Sequence, residues 1–408
     1  MKAPYLVIKL THTKSNMRKN KGKLMKILLI SDVYFPRVNG VSTSIKTFAT
    51  QLQALGHQVH LIAPEYGVIT QDEAWITRVP SRQIFFDPED RLMRYASVME
   101  LLPELRIQDF DIVHIHTPFV AHYAGLRIAR ELNRPVVETY HTFFEDYLHH
   151  YLPWIPKIFA KGLARIISKK QCNALDAIIS PSNPMLDVLR NYGVTVHAEV
   201  IATGLQPASF ADNEGAHFRK KYNIPINRPM LLYVGRVAHE KNIDFLLEVI
   251  TVLRHQVPDV LLVITGEGPA EVHLRKQVNV HGIEQHVQFI GYLDRDKELG
   301  ACYQAADIFV FASKSETQGL VLLEAMAQAT PVVAIAELGT ASILVEGQGA
   351  RIAPDNKIGF AQIVHDLLKQ PVERTILGNT GKAYVTQHWT AYSKAVQKVG
   401  FYQRLVRN

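Results

Sequence analysis

The sequence predicts an α/β protein made of two doubly wound domains in tandem, each a parallel sheet with crossover helices. Three observations predict it. Short β-branched runs alternate with longer helical patterns along the chain after residue 25, as parallel βαβ units require. That series restarts near residue 230. The length, 408 residues, holds two or three domains at roughly 100 to 200 residues each. A hydrophobic share of 47% with 20% charged residues is ordinary globular composition and excludes a disordered chain, a collagen-like repeat or a coiled coil.

The elements follow in order. Residues 1–24 carry seven Lys and Arg and no acid, and are expected to be a disordered basic leader outside the fold. Their apolar stretch, Tyr5 to Ile8, ends at Lys9, short of a secretory or membrane-spanning segment. Without those seven, 38 basic residues face 38 acidic ones, so the net charge of +7 does not argue for a nucleic-acid partner. Residues 25–203 form the first domain, with strands expected over 26–31, 59–63, 112–116, 136–140 and 177–180 and helices over 42–55 and 122–132. The turn Thr203-Gly204-Leu205-Gln206-Pro207 marks the linker. Residues 204–386 form the second domain, with strands over 230–234, 261–265, 287–290, 308–311 and 331–335. The apolar run 319–336 contains Glu324 and breaks at Thr330-Pro331, so it reads as a helix followed by a buried strand, not a membrane span. Residues 387–408 have a helical pattern and are free to pack back on either half, including the first domain. Cys172 and Cys302 are the only cysteines, which rules out a disulfide framework and points to a reducing, cytoplasmic setting.

In such sheets ligands sit at the carboxyl ends of strands, so the chemistry is sought in strand-following loops. The first runs Tyr34-Phe35-Pro36-Arg37-Val38-Asn39-Gly40-Val41-Ser42-Thr43 and opens a helix. Gly40 lets an anion approach the helix N-terminus; the alternative is a plain turn with Ser42 as N-cap. No G-x-G-x-x-G follows the first strand, which weighs against a nicotinamide dehydrogenase. The second loop is Tyr233-Val234-Gly235-Arg236-Val237-Ala238-His239-Glu240-Lys241-Asn242. Its Arg236 offers a planar fork of donors and Lys241 a point cation, a pairing suited to a diphosphate, although a lone charged loop also reads as a solvated turn. The third runs from Phe311 through Glu316-Thr317-Gln318-Gly319 into a helix near Leu320 that carries Glu324. The first amides of that helix are orphan donors, while Glu316 and Glu324 stand on two different elements, from which they can approach one ligand and accept hydrogen bonds from sugar hydroxyls.

Together these motifs resemble those of the family-4 retaining glycosyltransferases, sugar-nucleotide enzymes of the GT-B architecture, in which two Rossmann-like domains face a central cleft. The resemblance spans about residues 25–400. Glu316 to Glu324 is similar to the family's E-x7-E element, and Gly235-Arg236 with Glu240-Lys241-Asn242 to its phosphate-binding loop. The resemblance implies that Arg236 and Lys241 hold the diphosphate and that the Leu320 and Val321 amides cap a phosphate. It also implies that Glu324 binds the ribose diol and Glu316 the donor sugar. Gly40 resembles the glycine loop closing over the diphosphate, Ile290-Gly291 the segment flanking the uracil, and Thr265-Gly266-Glu267-Gly268-Pro269 the strand-end glycine turn. His141 matches a histidine beside the donor sugar, so the implied catalytic set is His141, Arg236, Lys241 and Glu316. The sequence departs from the family where Asn39-Gly40 replaces two glycines, Glu316-Thr317-Gln318-Gly319 replaces E-G-F-G, and Ala329 replaces a glycine. Glu-Thr-Gln-Gly-Leu-Val and Tyr140-His141-Thr142 leading to Glu145-Asp146-Tyr147 are similar to diacylglycerol glucosyltransferases.

The acceptor side has its own signal. Tyr147 to Leu175 contains no acid, and Lys157, Lys161, Arg165 and Lys169 recur every four residues among Ile155, Ile158, Phe159, Leu163, Ile166 and Ile167. With Tyr147 and Trp154 as an aromatic lead-in, this is a basic amphipathic helix suited to an anionic membrane surface. At ~1 kcal/mol per basic residue, and counting Lys170, its ceiling is roughly 5 kcal/mol. The alternative is a core-packing helix with a solvated basic face. Asp109-Phe110-Asp111 and Asp294-Arg295-Asp296 are read as structural, the second with Asp294 capping the next helix. The histidines, His149-His150 included, complete no metal-ligand set.

The expected activity is transfer of a hexose, with glucose as first choice, from a UDP-sugar to a lipid hydroxyl such as that of diacylglycerol. It takes place on the inner membrane face, by a peripheral cytoplasmic protein, with retention and without a required metal or permanently bound cofactor. The rivals are a soluble carbohydrate or inositol-phosphate acceptor, a glycoside hydrolase using Glu316 and Glu324, and a non-enzymatic basic binder.

Overall fold

A computed structural model describes residues 24–67, 73–84, 87–141, 157–295 and 297–407. The N-terminal elements are β1 (Lys26–Ile30), α1 (Gly40–Ala54), β2 (Gln58–Pro64), β3 (Ile76–Val79), β4 (Ser81–Ile84), β5 (Asp87–Met93), α2 (Tyr95–Glu100), α3 (Leu102–Gln108), β6 (Ile112–Ile115), α4 (Val120–Leu132), β7 (Val136–Thr139), α5 (Lys157–Cys172), β8 (Ala177–Ser180), α6 (Asn183–Asn191) and β9 (His197–Val200). A seven-stranded sheet takes the order β3-β2-β1-β6-β7-β8-β9, parallel throughout. The antiparallel pair β4-β5 stands apart from it.

The second half holds α7 (Gly215–Lys221), β10 (Met230–Val234), α8 (Ile243–Leu253), β11 (Leu261–Thr265), α9 (Glu271–His281), β12 (Val287–Gly291), α10 (Leu299–Ala305), β13 (Ile308–Phe311), α11 (Leu320–Ala327), β14 (Val332–Ala334), β15 (Ala350–Ile352), α12 (Lys357–Lys369), α13 (Pro371–His388) and α14 (Ala391–Arg407). Its six-stranded sheet runs β12-β11-β10-β13-β14-β15, again parallel. Strands buried on both faces, such as Met-Leu-Leu-Tyr-Val of β10, read as unbroken apolar runs because helices cover both sides of a parallel sheet. In both sheets the strand order reverses beside the first strand, at β1/β6 and at β10/β13. These switch points open crevices at the carboxyl ends of the strands.

The chain crosses between the halves twice, side by side. Leu205 N–H donates to Trp389 O and Ala391 N–H to Leu205 O, both at 2.7 Å. A Cβ on Gly204 would lie 2.5 Å from Thr390 O, so only glycine fits this crossing. The terminal helix α14 then returns to the first half. Its Ala395, Phe401 and Tyr402 share a core with Ile27 and Leu29 of β1 and Ile45 and Phe48 of α1.

Several local expectations are corrected. The first-loop helix starts at Gly40 and not at residue 42, because the Asn39 side chain caps it by accepting from the Val41 and Ser42 amides, while Ser42 Oγ accepts from Asn39 N–H. The terminal helix starts at Ala391 and not at residue 387, after a turn in which Thr390 Oγ1 accepts the Ser393 amide at 3.3 Å. Asp294 caps a turn through Lys297 N–H, 3.2 Å, and α10 begins beyond it at Leu299. Edge strands β3, β9 and β15 add to the predicted set.

Candidate active site

The candidate loops of the second half meet at the carboxyl ends of β10, β11 and β13. Gly266, at the end of β11, adopts φ +119°, and a Cβ there would sit 1.9 Å from Gly235 O. Gly266 N–H donates to Gly291 O at 2.8 Å and Val237 N–H to Glu267 O at 2.9 Å. Gly235, Gly266 and Gly291 thus lie against one another, with Ile290 preceding Gly291 on β12, and the glycine at 266 is required by backbone approach alone.

The loop after β10 is tied to the loop after β13. Lys241 Nζ lies 2.6 Å from Glu316 Oε1, and Asn242 Nδ2–H donates to Ala312 O at 3.1 Å. Ser315 Oγ donates to Glu240 O at 3.3 Å. Arg236 lies on the same loop, half-buried. Gly319, at φ +90°, turns the chain into α11. Among the described residues the amides of Leu320 and Val321, at the start of that helix, have no hydrogen-bond acceptor, which leaves two donors at the positive end of the helix dipole.

Glu324 sits one turn into α11, 6% exposed. Its Oε2 accepts from the Tyr303 hydroxyl at 2.8 Å and its Oε1 pairs with Arg295. Burial and the Glu324 charge hold the Tyr303 phenol well above its usual range, so it stays a donor. Arg295 and Tyr303 were missed from sequence. Any further group meeting Glu324 shares that carboxylate with Arg295.

The first half contributes from β1, β6 and β7. Gly40 is exposed with open space above it, while the amides of Val41 and Ser42 are already taken by Asn39. His141 follows β7 and is half-buried. Its Nε2 lies 3.1 Å from His116 Nδ1, and burial lowers its pKa to about 3. Three bonds cross between the halves here. Thr317 Oγ1 donates to His141 O at 3.0 Å, and the Gln318 amide holds both Thr203 N–H, 2.8 Å, and Thr203 O, 2.6 Å. Thr203 Oγ1 in turn lies 2.7 Å from Ser44 Oγ of α1. The departures Thr317 and Gln318 are therefore the contacts between the halves beside Gly319.

On α5, Lys161, Arg165, Lys169 and Lys170 are exposed, with Leu163 40% and Ile166 66% exposed among them. The opposite face buries Ala164, Ser168, Gln171 and Cys172, and Ser168 Oγ lies 2.9 Å from the Tyr140 hydroxyl. Arg165 lies over the Tyr192 ring, 5.6 Å from its centroid. Tyr147 and Trp154 lie outside the described residues, as does the Lys157 side chain. Among the described residues His239, Asp244 and His273 bring three possible metal ligands within 4.8 Å of one another, a set the sequence reading did not assemble; His273 Nε2 and Asp244 Oδ1 form an ion pair at 2.7 Å.

Two family descriptions match the chain: Glycosyltransferase Family 4 over residues 38–209 and Glycosyl transferases group 1 over 216–384. The alpha-monoglucosyldiacylglycerol synthase of Streptococcus pneumoniae is 35% identical over 316 residues, 76% of this chain and 71% of that protein. The protein of that name from Acholeplasma laidlawii is 28% identical over 76% of this chain and 80% of its own. Anabaena Alr3699/HepE, crystallised in complex with UDP, superposes with a TM-score of 0.72 at 16% identity, covering 93% of this chain and 100% of that one. With two parallel-sheet domains, both family descriptions matched and a relative 35% identical over 71% of its own length, the chain belongs to the family-4 glycosyltransferases and is a hexosyltransferase of the GT-B fold.

Proposed function

We propose that the protein transfers glucose from UDP-glucose to the free hydroxyl of diacylglycerol at an anionic membrane surface, with retention at the anomeric carbon. The observation that carries the acceptor is the exposed face of α5, where Lys161, Arg165, Lys169 and Lys170 surround solvent-facing Leu163 and Ile166. Cations that attract anionic headgroups, with aliphatic side chains between them, make a membrane-resting surface. The names of the two relatives point to the same lipid. An α-linked product formed from an α-linked sugar nucleotide is net retention, and UDP is the nucleotide crystallised with the fold neighbour.

In this reading the C1–O bond to the β-phosphate breaks while the acceptor oxygen bonds to C1 on the same face. The acceptor proton passes to the departing phosphate oxygen. Arg236, Lys241 and the Leu320 and Val321 amides stabilise the charge that grows on that phosphate, which is where preorganised donors contribute most. Glu316 accepts from a sugar hydroxyl and orients Lys241, and His141 lies against the sugar. Because four fixed donors serve the diphosphate, no divalent ion is needed; EDTA should leave turnover unchanged. Loss of activity in EDTA, restored by a divalent ion, would overturn that and direct attention to His239, Asp244 and His273.

The test is UDP release from a panel of nucleotide sugars, with and without anionic vesicles containing diacylglycerol, followed by mass spectrometry and anomeric analysis of the lipid. A vesicle-dependent α-glucosyl lipid is expected. UDP release independent of vesicles, with no lipid product, would sink the lipid acceptor.

A further inference from the structure

Two buried histidines that the donor site does not use, His114 and His116, connect the terminal helix to His141. They lie two residues apart at the end of β6, and their rings are tilted to each other by 31° with centroids 4.1 Å apart. The Tyr402 hydroxyl of α14 lies 2.5 Å from His114 Nδ1, and His114 Nε2 lies 2.7 Å from Thr139 Oγ1. His116 Nδ1 meets His141 Nε2 at 3.1 Å, with the two rings stacked at 5.4 Å. Among the described residues His116 Nε2 is buried without a hydrogen-bond partner.

These contacts determine where the protons sit. Among the described residues the Tyr402 hydroxyl has no acceptor but His114 Nδ1, so it donates there, and His114 carries its proton on Nε2, toward Thr139. A buried N–H without an acceptor is rarer than a lone pair without a donor. His116 therefore leaves Nε2 bare and carries its proton on Nδ1, which donates to His141 Nε2. His141 is left with its own proton on Nδ1. Burial keeps the three rings neutral, with the nearby Lys398 acting in the same direction.

We propose that His116 is a positioning residue that fixes His141 in its Nδ1–H tautomer, and that Tyr402 anchors the His114–His116 pair from the terminal helix. This rests on the reading of His141 as the residue beside the donor sugar. His141 then offers that sugar a hydrogen-bond donor and not a base, since its one lone pair is already engaged by His116. The end of the chain becomes a support of the site on the first domain.

The test is ¹⁵N-histidine NMR of the full-length protein together with kinetics. Wild-type His141 should show a protonated Nδ1 and a bare Nε2, and His116→Leu should give a mixture of tautomers. His116→Asn, whose side-chain amide stands where Nδ1–H stood, should restore the wild-type pattern. In turnover, His116→Leu should lower kcat about 10- to 100-fold, as misplacement of a reacting group does, with donor KM within about two-fold. His116→Asn should recover most of that loss, and Tyr402→Phe should lower kcat several-fold. A proton on Nε2 of wild-type His141, or equal activities for the Asn and Leu variants, would overturn the proposal. If His116→Leu fails to fold, the wild-type and Tyr402→Phe spectra decide. His141→Ala is read separately: wild-type transfer there removes the sugar-side role of His141, while the tautomer measurement still judges His116.

Discussion

Lys241 Nζ lies 2.6 Å from Glu316 Oε1 and joins the loop after β10 to the loop after β13 through one charge-assisted bond. The two side chains are 20% and 19% exposed, open enough for water to screen the pair, so its contribution to folding is about 0–1 kcal/mol. The effect of losing Lys241 should therefore fall on catalysis. Lys241→Ala is expected to lower kcat/KM for the sugar nucleotide by about 10²- to 10³-fold, the size of one lost oxyanion-type donor, while the thermal midpoint stays close to wild type. Steady-state UDP release and a melt of the same sample check both. Undiminished turnover would remove Lys241 from the diphosphate site.

Acid should destabilise the fold through its buried histidines. Burial holds His114 and His116 well below their usual range and lowers His141 to about 3, whereas each returns to about 6.5 in the unfolded chain. Below pH ~6.5 the unfolded chain then binds more protons than the folded one, so stability falls as pH falls, down to about pH 3 for His141. The limiting slope is ~1.4 kcal/mol per pH unit for each ring. Denaturant titrations at pH 7.5 and 5.5 should show the loss, and His116→Asn should reduce it by about one proton. Equal stability at the two pH values would mean that these rings are not buried in solution.

Ala329, where the family usually has glycine, takes φ +56°. A left-handed alanine costs roughly 1–2 kcal/mol. Its carbonyl also lies so near Gly378 that a Cβ on that residue would approach it to 2.0 Å, so the turn cannot relax. Ala329→Gly is expected to stabilise the protein by about 1 kcal/mol, less the entropy of the freer unfolded chain, with activity unchanged. A lower denaturation midpoint would show that the turn holds alanine without strain.

The fold class was legible because both parallel sheets are covered on two faces, and their central strands read as apolar runs such as Leu-Leu-Val-Ile-Thr of β11. Edge strands escaped notice for the opposite reason: β9, His-Ala-Glu-Val, is only half-buried and carries polar residues. The loops of the candidate site were found by their position after strands. Their partners were not, since they come from remote parts of the chain. Tyr402 and His114 are 288 positions apart, and Gln318 and Thr203 are 115 apart; no local pattern marks either pair. Arg295 lay in view inside an Asp-x-Asp string, yet its role depends on facing Glu324 across α11.

Charge reversal on α5 tests the proposed membrane surface without touching the proposed donor loops. Lys161, Arg165 and Lys169 are exposed on one helix, and each basic residue near anionic lipid is worth about 1 kcal/mol. The triple variant Lys161→Glu, Arg165→Glu, Lys169→Glu should lower binding to anionic vesicles by more than about 100-fold, and salt should do the same to the wild type. UDP release to water should be unaffected. Co-flotation with vesicles of graded anionic content measures this, and equal flotation of the two proteins would return α5 to a purely structural role.

Gln318 holds the two halves together at one backbone position. Its amide accepts from Thr203 N–H and donates to Thr203 O, while Thr203 Oγ1 bonds Ser44 Oγ on the helix that follows Gly40. All three residues are buried. Gln318→Leu leaves two buried backbone groups unpaired, at about 1–3 kcal/mol each, and frees the residue next to Gly319, so both the thermal midpoint and donor affinity should fall. Ser44→Ala removes one neutral hydrogen bond, worth ~1 kcal/mol. Because both bonds converge on Thr203, the double variant should lose less than the sum of the single losses, as groups sharing a partner do. Strict additivity in the double-mutant cycle would show that Thr203 does not couple α1 to the start of α11, and would leave Gln318 as a local brace of the linker.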